Sequence, residues 1–370
     1  MTARMDATIA RSQAPRHTAR DSTLVTVAQL AEFDEFIDVR SESEFAEDHI
    51  PGAVSCPVLD DAERARVGTL YKQVSSFAAK KVGAALVSAN IARHLERRFG
   101  DRPREWRPLV YCWRGGSRSD AMAHVLRQVG WRAGRLDGGY RAYRRAVIAD
   151  LAGAPARFQW RSVCGATGCG KSRLLRVLAA SGAQMLDLEA LAAHRGSVLG
   201  NLPGRPQPSQ KMFESLVRHA LRGFSAARAV YVEAESRKVG NLRVPEALIA
   251  QMWRSPCIVL EAPIAVRIAQ LKDEYVHFIS DPAALGAQLD CLAGLHGRET
   301  ITKWKRMTLA GDWDAFIEDM LVRHYDPAYR RSTLKHYSGL SAALRLTASS
   351  GDDADFERLA RQCVAAEIER

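Results

Sequence analysis

The chain has 370 residues and a formal charge of +11 at neutral pH. That length exceeds what one small core needs and points to two domains, and the cationic surplus favours an anionic partner, nucleic acid first. Seven cysteines, an odd number without paired spacing, argue against a disulfide framework and for reduced thiols in a cytoplasmic protein.

No apolar run approaches the roughly 18 residues of a membrane span, so no membrane role is expected. Residues 1–22 lack the apolar stretch of a secretion signal and read as a mobile tail. From about Thr23 to Asp150 short apolar strands alternate with helices. "FDEFIDVR" ends a strand at Asp38, and "EFAEDHIPGAVSCPV" carries a helix, a turn and a second strand. "RPLVYC" is a third strand, a helix follows over Ser119 to Val129, and a further strand lies near "WRAGRLDGGY". This βα alternation implies a mostly parallel sheet covered by helices, with ligands beyond the strand C-termini. Cys112 stands at one of those ends.

Glycine and proline in "DLAGAPARF" mark a boundary, giving one domain over 23–150 and a second over 155–370. The second series opens with the strand "FQWRSVC", the loop "GATGCGKS" and the helix "RLLRVLAA". The strands "AQMLDLE", "RAVYVEAE" and "CIVLEAP" follow. After about Ile264 the pattern is helical and mixed in charge, and no further strand is expected.

A cysteine acts as a nucleophile only as thiolate, which requires a pKa below the free value of roughly 8.5. In "YCWRGGSRSD" the parts for that surround Cys112. Gly115 and Gly116 let backbone N–H groups turn toward the sulfur, Ser117 opens the following helix, and Arg114 and Arg118 bring positive charge. The Cys112-to-Arg118 spacing, C-x5-R, serves both phosphoester hydrolysis through a phosphocysteine and transfer of sulfur or selenium. Spacing alone leaves both open.

"GATGCGKS" matches G-x-x-x-x-G-K-[ST] between a strand and a helix. Gly165, Gly168 and Gly170 permit close backbone approach to phosphate oxygens, with Cys169 between them as a packing residue. Lys171 would neutralise phosphate charge, and Ser172 would ligate a magnesium ion if one is used. Acidic partners are offered by Glu233 and Glu235 and by Asp187 and Glu189, although strand-end acids equally serve as helix caps. Cys164 and Cys169 have no third ligand at suitable spacing, so no zinc site is expected. "RHYDPAYRRSTLKHY" interleaves Tyr325 and Tyr329 with Arg330 and other basic residues, a pattern that suits stacking on unpaired bases and equally suits tyrosines facing a core.

"DVRSESEFAEDHIPGA", "YCWRGGSRS" and "LDGGYRAYRR" together resemble the rhodanese-like domain, in which Asp38, Arg40 and His49 would be scaffold. The cysteine loop is one residue longer than in common sulfurtransferase rhodaneses and is similar to that of rhodanese-related phosphatases. With "ERARVGTLYKQ", "GATGCGKS", "DLEALAAHRGSVLG", "PQPSQKMFE", "EAESRKVG", "RIAQLKDEY" and "YDPAYRRS", the chain from about Asp38 onward resembles the tRNA 2-selenouridine synthase family.

The resemblance implies an α/β fold with two parts. These are an N-terminal rhodanese-like parallel-sheet domain and a C-terminal P-loop NTPase-like α/β domain with a helical C-terminal region. It implies replacement of sulfur by selenium in wobble 2-thiouridine of tRNA, with selenophosphate and geranyl diphosphate as co-substrates and an S-geranyl intermediate. It leaves room for a selenophosphate-producing enzyme as a second partner. By the same resemblance Asp187, His194 and Arg195 lie near the phosphate loop, and Arg237 and Lys238 contact ligand or RNA. A helix-surface position for His194, a cysteine phosphatase regulated by its P-loop and a non-catalytic RNA-binding protein stand as alternatives.

Overall fold

The computed structural model describes residues 23–368. The expected tail, 1–22, lies outside the described residues. Contacts divide the chain into two compact units, one of residues up to Ser41 with Ala53–Ala142, the other of Glu42–Gly52 with Tyr143 onward.

In the first unit five strands, β1 (Leu24–Val25), β2 (Glu35–Asp38), β3 (Val54–Ser55), β4 (Pro108–Tyr111) and β5 (Gly134–Leu136), form one sheet in the order β1-β5-β4-β2-β3. Every pairing is parallel. All four residues of β4 are buried, which is why "PLVY" contains no charged side chain. The helix Ser117–Val129 begins two residues earlier than its sequence pattern suggests. It buries Met122, Ala123 and Leu126 against the sheet and ends at Gly130, whose φ of 111° closes the helix as a left-handed cap. Phe99, Trp106 and Trp131 complete that core.

In the second unit β6 (Gln159–Cys164), β7 (Gln184–Leu186), β8 (Ala229–Glu233), β11 (Pro256–Glu261) and β12 (Gly339–Thr347) build a parallel sheet ordered β12-β11-β6-β8-β7. Strand order reverses at β6, so the crevice beyond the β6 C-terminus is where such a sheet binds ligands. A two-stranded antiparallel ribbon, β9 (Lys238–Val239) and β10 (Leu242–Arg243), lies apart from it.

Helices run from Ile264 to His336 around a separate apolar cluster centred on Trp304, Leu289 and Phe316. The expectation of no strand after Ile264 fails at β12. This edge strand pairs with β11 through a register shift and leaves most of its residues half-buried or exposed, so "GLSAALRLT" lacks the alternation of a core strand. The stretch 150–158 is helical: Gly139–Gly153 forms an α-helix and Ala154–Arg157 a 3-10 turn, pinned by a bond from Trp160 Nε1 to the Pro155 carbonyl at 2.7 Å. No helix is long and apolar enough to cross a membrane among the described residues.

Candidate functional site

Cys112 follows β4 and is buried, 3 % exposed. The Gly116 N–H points at its Sγ from 3.3 Å, and the Ser119 hydroxyl lies 3.2 Å away, able also to donate to the Gly116 carbonyl at 3.0 Å. Burial opposes ionisation of this thiol. The Ser119 hydroxyl and N–H, the Arg118 charge and the Arg114 N–H outweigh it and hold the pKa below its usual value.

The loop is shaped by a close crossing of backbones. The Tyr140 N–H donates to the Cys112 carbonyl at 2.8 Å, and a Cβ at Gly139 (φ 58°) would lie 2.3 Å from that oxygen, so only glycine fits. Gly115 (φ 69°) faces the same constraint from the Leu136 carbonyl. Arg114, Gly116 and Ser117 are exposed, and Arg118 is half-buried.

Asp38 and Arg40 form a fully buried ion pair at 2.6 Å, with the guanidinium 4.0 Å from the centre of the Tyr140 ring. His49 is tied locally, its Nδ1 2.9 Å from the Phe45 carbonyl.

In the second unit the phosphate loop runs from Gly165 to the helix Lys171–Ala180 and floors a pocket of about 480 Å³, a size that accommodates a diphosphate or a nucleotide. Gly168 and Gly170 hold φ of 80° and 89°, and a Cβ at Gly170 would lie 2.3 Å from the Phe356 ring. Cys169 is buried in the core beneath the loop. Burial alone would discharge Lys171, but Glu233, 3.4 Å from its Nζ, overrides that and raises its pKa, so the lysine stays cationic.

Ser172 Oγ donates to Glu233 Oε2 at 2.8 Å, which puts the acid opposite the loop on β8. Carboxylate oxygens of Glu189, Glu233 and Glu235 lie within 4.8 Å of one another. Burial and their mutual repulsion push Glu189 up to about 10 and Glu235 up to about 8. With the Ser172 hydroxyl they make a set of hard oxygen donors that fits a divalent cation such as magnesium.

Asp187 caps the Leu188–Leu191 helix, accepting from the Ala190 N–H at 2.8 Å, while also lining the pocket. His194 is not on a helix surface. It is 5 % exposed, accepts from the Gly196 N–H at 3.1 Å through Nδ1, lines the pocket, and burial lowers its pKa. Arg195 stacks over the Tyr275 ring at 5.1 Å, and its buried Nε has no hydrogen-bond partner among the described residues. An anion in the pocket would supply one.

Tyr325 and Tyr329 also line this pocket and are half-buried, so they do not form an outward stacking strip; Arg330 is exposed. Arg237, packed over Trp253 at 5.0 Å, and Lys238 are exposed and outside the pocket lining.

Several members received no role from the sequence, although "RIAQLKDEY" spans Arg267 to Tyr275. Arg267, 7 % exposed, donates from Nε to the Thr167 carbonyl at 2.8 Å and bidentately to Asp326 at 2.6 and 3.1 Å, bracing the loop from outside the motif. Glu274, Tyr275, Arg176 and Arg205 line the pocket from segments without a general motif.

Comparison with known proteins accounts for both units. The rhodanese-like domain model matches residues 23–146, and the model of the tRNA 2-selenouridine synthase AAA domain matches residues 159–295. A tRNA 2-selenouridine synthase of Aeromonas salmonicida (strain A449) is 34 % identical over 79 % of this chain and 85 % of its own length. The chain belongs to the tRNA 2-selenouridine synthase family.

The relative from Bdellovibrio bacteriovorus (strain ATCC 15356 / DSM 50701 / NCIMB 9529 / HD100) is 32 % identical over 79 % of this chain and 87 % of its own length. That from Nitrosomonas europaea (strain ATCC 19718 / CIP 103999 / KCTC 2705 / NBRC 14298) is 36 % identical over 65 % and 63 %. Membership makes this chain an enzyme of the tRNA 2-selenouridine synthase class, with the α/β fold and helical C-terminal region described above.

Proposed function

We propose that this enzyme replaces the C2 sulfur of wobble 2-thiouridine in tRNA with selenium from selenophosphate, by way of an S-geranyl intermediate formed from geranyl diphosphate. The observation that carries the reading is the presence of two anion-binding loops of different chemistry, one thiolate-bearing and one phosphate-binding, in a member of this family.

In the first step the thiocarbonyl sulfur attacks C1 of the geranyl group, the C1–O bond breaks and diphosphate leaves with the electron pair. The N3 proton is lost to solvent. Lys171, the N–H groups opening the Lys171–Ala180 helix and the unpaired Arg195 Nε stabilise the charge building on the leaving diphosphate. Magnesium held by Ser172 and Glu233, with Glu189 and Glu235, would add to that neutralisation.

In the second step selenium of selenophosphate adds at C2, the C2–S bond breaks and geranyl thiol departs. Water then cleaves the P–Se bond, releasing phosphate and leaving the selenocarbonyl. Cys112 and its loop, with Arg114 and Arg118, hold or carry the selenium donor. The +11 charge and exposed Arg237, Lys238 and Arg330 suit the phosphates of tRNA. The reaction belongs in the cytoplasm, where a selenophosphate-producing enzyme would supply the donor.

The test is nucleoside mass spectrometry of 2-thiouridine tRNA incubated with each donor and with both. Geranyl diphosphate alone should yield the S-geranyl nucleoside, and both donors should yield selenouridine. Cys112→Ala should suppress selenation and Lys171→Ala geranylation; wild-type rates in both variants would overturn the assignment.

A further inference from the structure

The phosphate loop does not stand alone at the β6 switch point. Next to its pocket lies a second cleft, walled by the helices Ile264–Glu274, Val276–Ser280, Pro282–Leu289 and Trp313–Met320. The two share Thr167, Leu271, Tyr275 and Tyr325. Their chemistry is opposite. The pocket over Lys171 is lined by the carboxylates and arginines described above, whereas Phe278, Leu285, Trp313, Phe316, Ile317 and Met320 make the second cleft almost wholly carbon.

The two are joined through the loop itself. A Cβ at Gly168 would lie 3.0 Å from the Leu271 side chain and 3.0 Å from the Arg267 carbonyl, so the phosphate-binding backbone touches the wall of the apolar cleft. Arg267, on the same helix as Leu271, fixes the Thr167 carbonyl. Among the described residues Lys272 is the one charged side chain in the lining, and it pairs with Asp314 at 2.7 Å.

This pairing of an anion site with a hydrocarbon wall discriminates between ligands. The base and ribose of a nucleotide carry donors and acceptors that a carbon-lined cleft would leave unpaired, at a cost for each. An isoprenoid carries none. Its chain gains from every carbon it buries, while its diphosphate needs the loop.

We infer that this cleft receives the hydrocarbon tail of an allylic diphosphate whose diphosphate lies on the Gly165–Ser172 loop. The inference rests on geranyl diphosphate being the donor. Open space in the cleft is narrow, about 60 Å³, so a ten-carbon chain enters by displacing side chains such as Met320 and Leu285. Trp313 and Phe316, packed edge to face at 6.2 Å, then set how far the chain reaches.

Calorimetric titration of the full chain with inorganic diphosphate and with dimethylallyl, geranyl and farnesyl diphosphates tests this, alongside geranyl transfer to 2-thiouridine tRNA. Geranyl diphosphate should bind at least tenfold tighter than inorganic diphosphate. Phe316→Ala should move the geranyl-to-farnesyl affinity ratio tenfold toward farnesyl, and Leu285→Phe should move preference toward dimethylallyl, both keeping inorganic diphosphate affinity within twofold.

Affinity independent of chain length, or a ratio unmoved in both variants while they still bind inorganic diphosphate, overturns the cleft assignment even if geranyl transfer occurs. Chain-length-dependent binding that responds to Phe316→Ala upholds the cleft even if no geranyl is transferred, in which case the donor reading alone falls.

Discussion

The Ser119 hydroxyl sits 3.2 Å from Cys112 Sγ, in the first turn of the helix that follows the loop and buried with it. It is the strongest of the contacts that favour the thiolate, and no motif in the loop announces it. Ser119→Ala should therefore shift the titration of Cys112 upward in pH. The check is the thiolate absorbance of Ser119→Ala against its own Cys112→Ser derivative, which removes the signal of the other cysteines. An unmoved titration would leave the Arg118 charge and the Arg114 N–H to account for the lowered pKa.

Asp38 and Arg40 are 0 % and 1 % exposed, so removing one partner strands the other in the core. Asp38→Asn should destabilise the first unit by roughly 3–5 kcal/mol, the usual cost of breaking a buried pair, read as a lower urea midpoint of its unfolding transition. The Arg40 guanidinium also packs on Tyr140, which leads into the Cys112 crossing, and selenation should fall with stability.

Glu189 and Glu235 titrate in the folded chain far above their unfolded value of 4.5, at about 10 and about 8. Acids raised on folding bind more protons in the native state, so stability is greatest below the unfolded value and declines as pH rises. The decline from Glu235 should level off near pH 8 and that from Glu189 near pH 10, with a slope of at most about 1.4 kcal/mol per pH unit for each proton. Urea midpoints measured from pH 5 to 10 should fall in the wild type and flatten in Glu189→Gln/Glu235→Gln.

Arg267 holds the Thr167 carbonyl and Asp326 at once through a planar fork that lysine cannot reproduce. Arg267→Lys should weaken inorganic diphosphate binding about tenfold by loosening the loop, with Lys171 and its partners intact. Calorimetry at equal protein stability separates this from unfolding.

Much of this architecture was legible because its signals are local. The run "PLVY" is buried on both faces and "QWRSVC" over its C-terminal half, both read directly as strands, and the two glycine-bearing loops stand at their C-terminal ends as parallel sheets require. What escaped depends on partners remote in sequence. Arg267 acquires its role only when the Ile264–Glu274 helix packs against Thr167, and β12 is held by backbone pairing to β11 more than by its own side chains. For His194 the sequence leaves a pocket position and a helix-surface position equally open, because nothing local marks the turn at Ala193, a non-glycine residue at φ 48°, that carries it inward.

Phe356 lies against Gly170, Arg173 donates to the Gly351 carbonyl, and Arg173 pairs with Asp353 at 2.6 Å. The residues that seat the phosphate loop from behind thus follow β12 in the chain and are made after the loop itself has left the exit tunnel. During translation the nascent chain can complete its first sheet but not a supported phosphate loop, and a message truncated before β12 would yield a protein with its motif intact and its anion site unsupported.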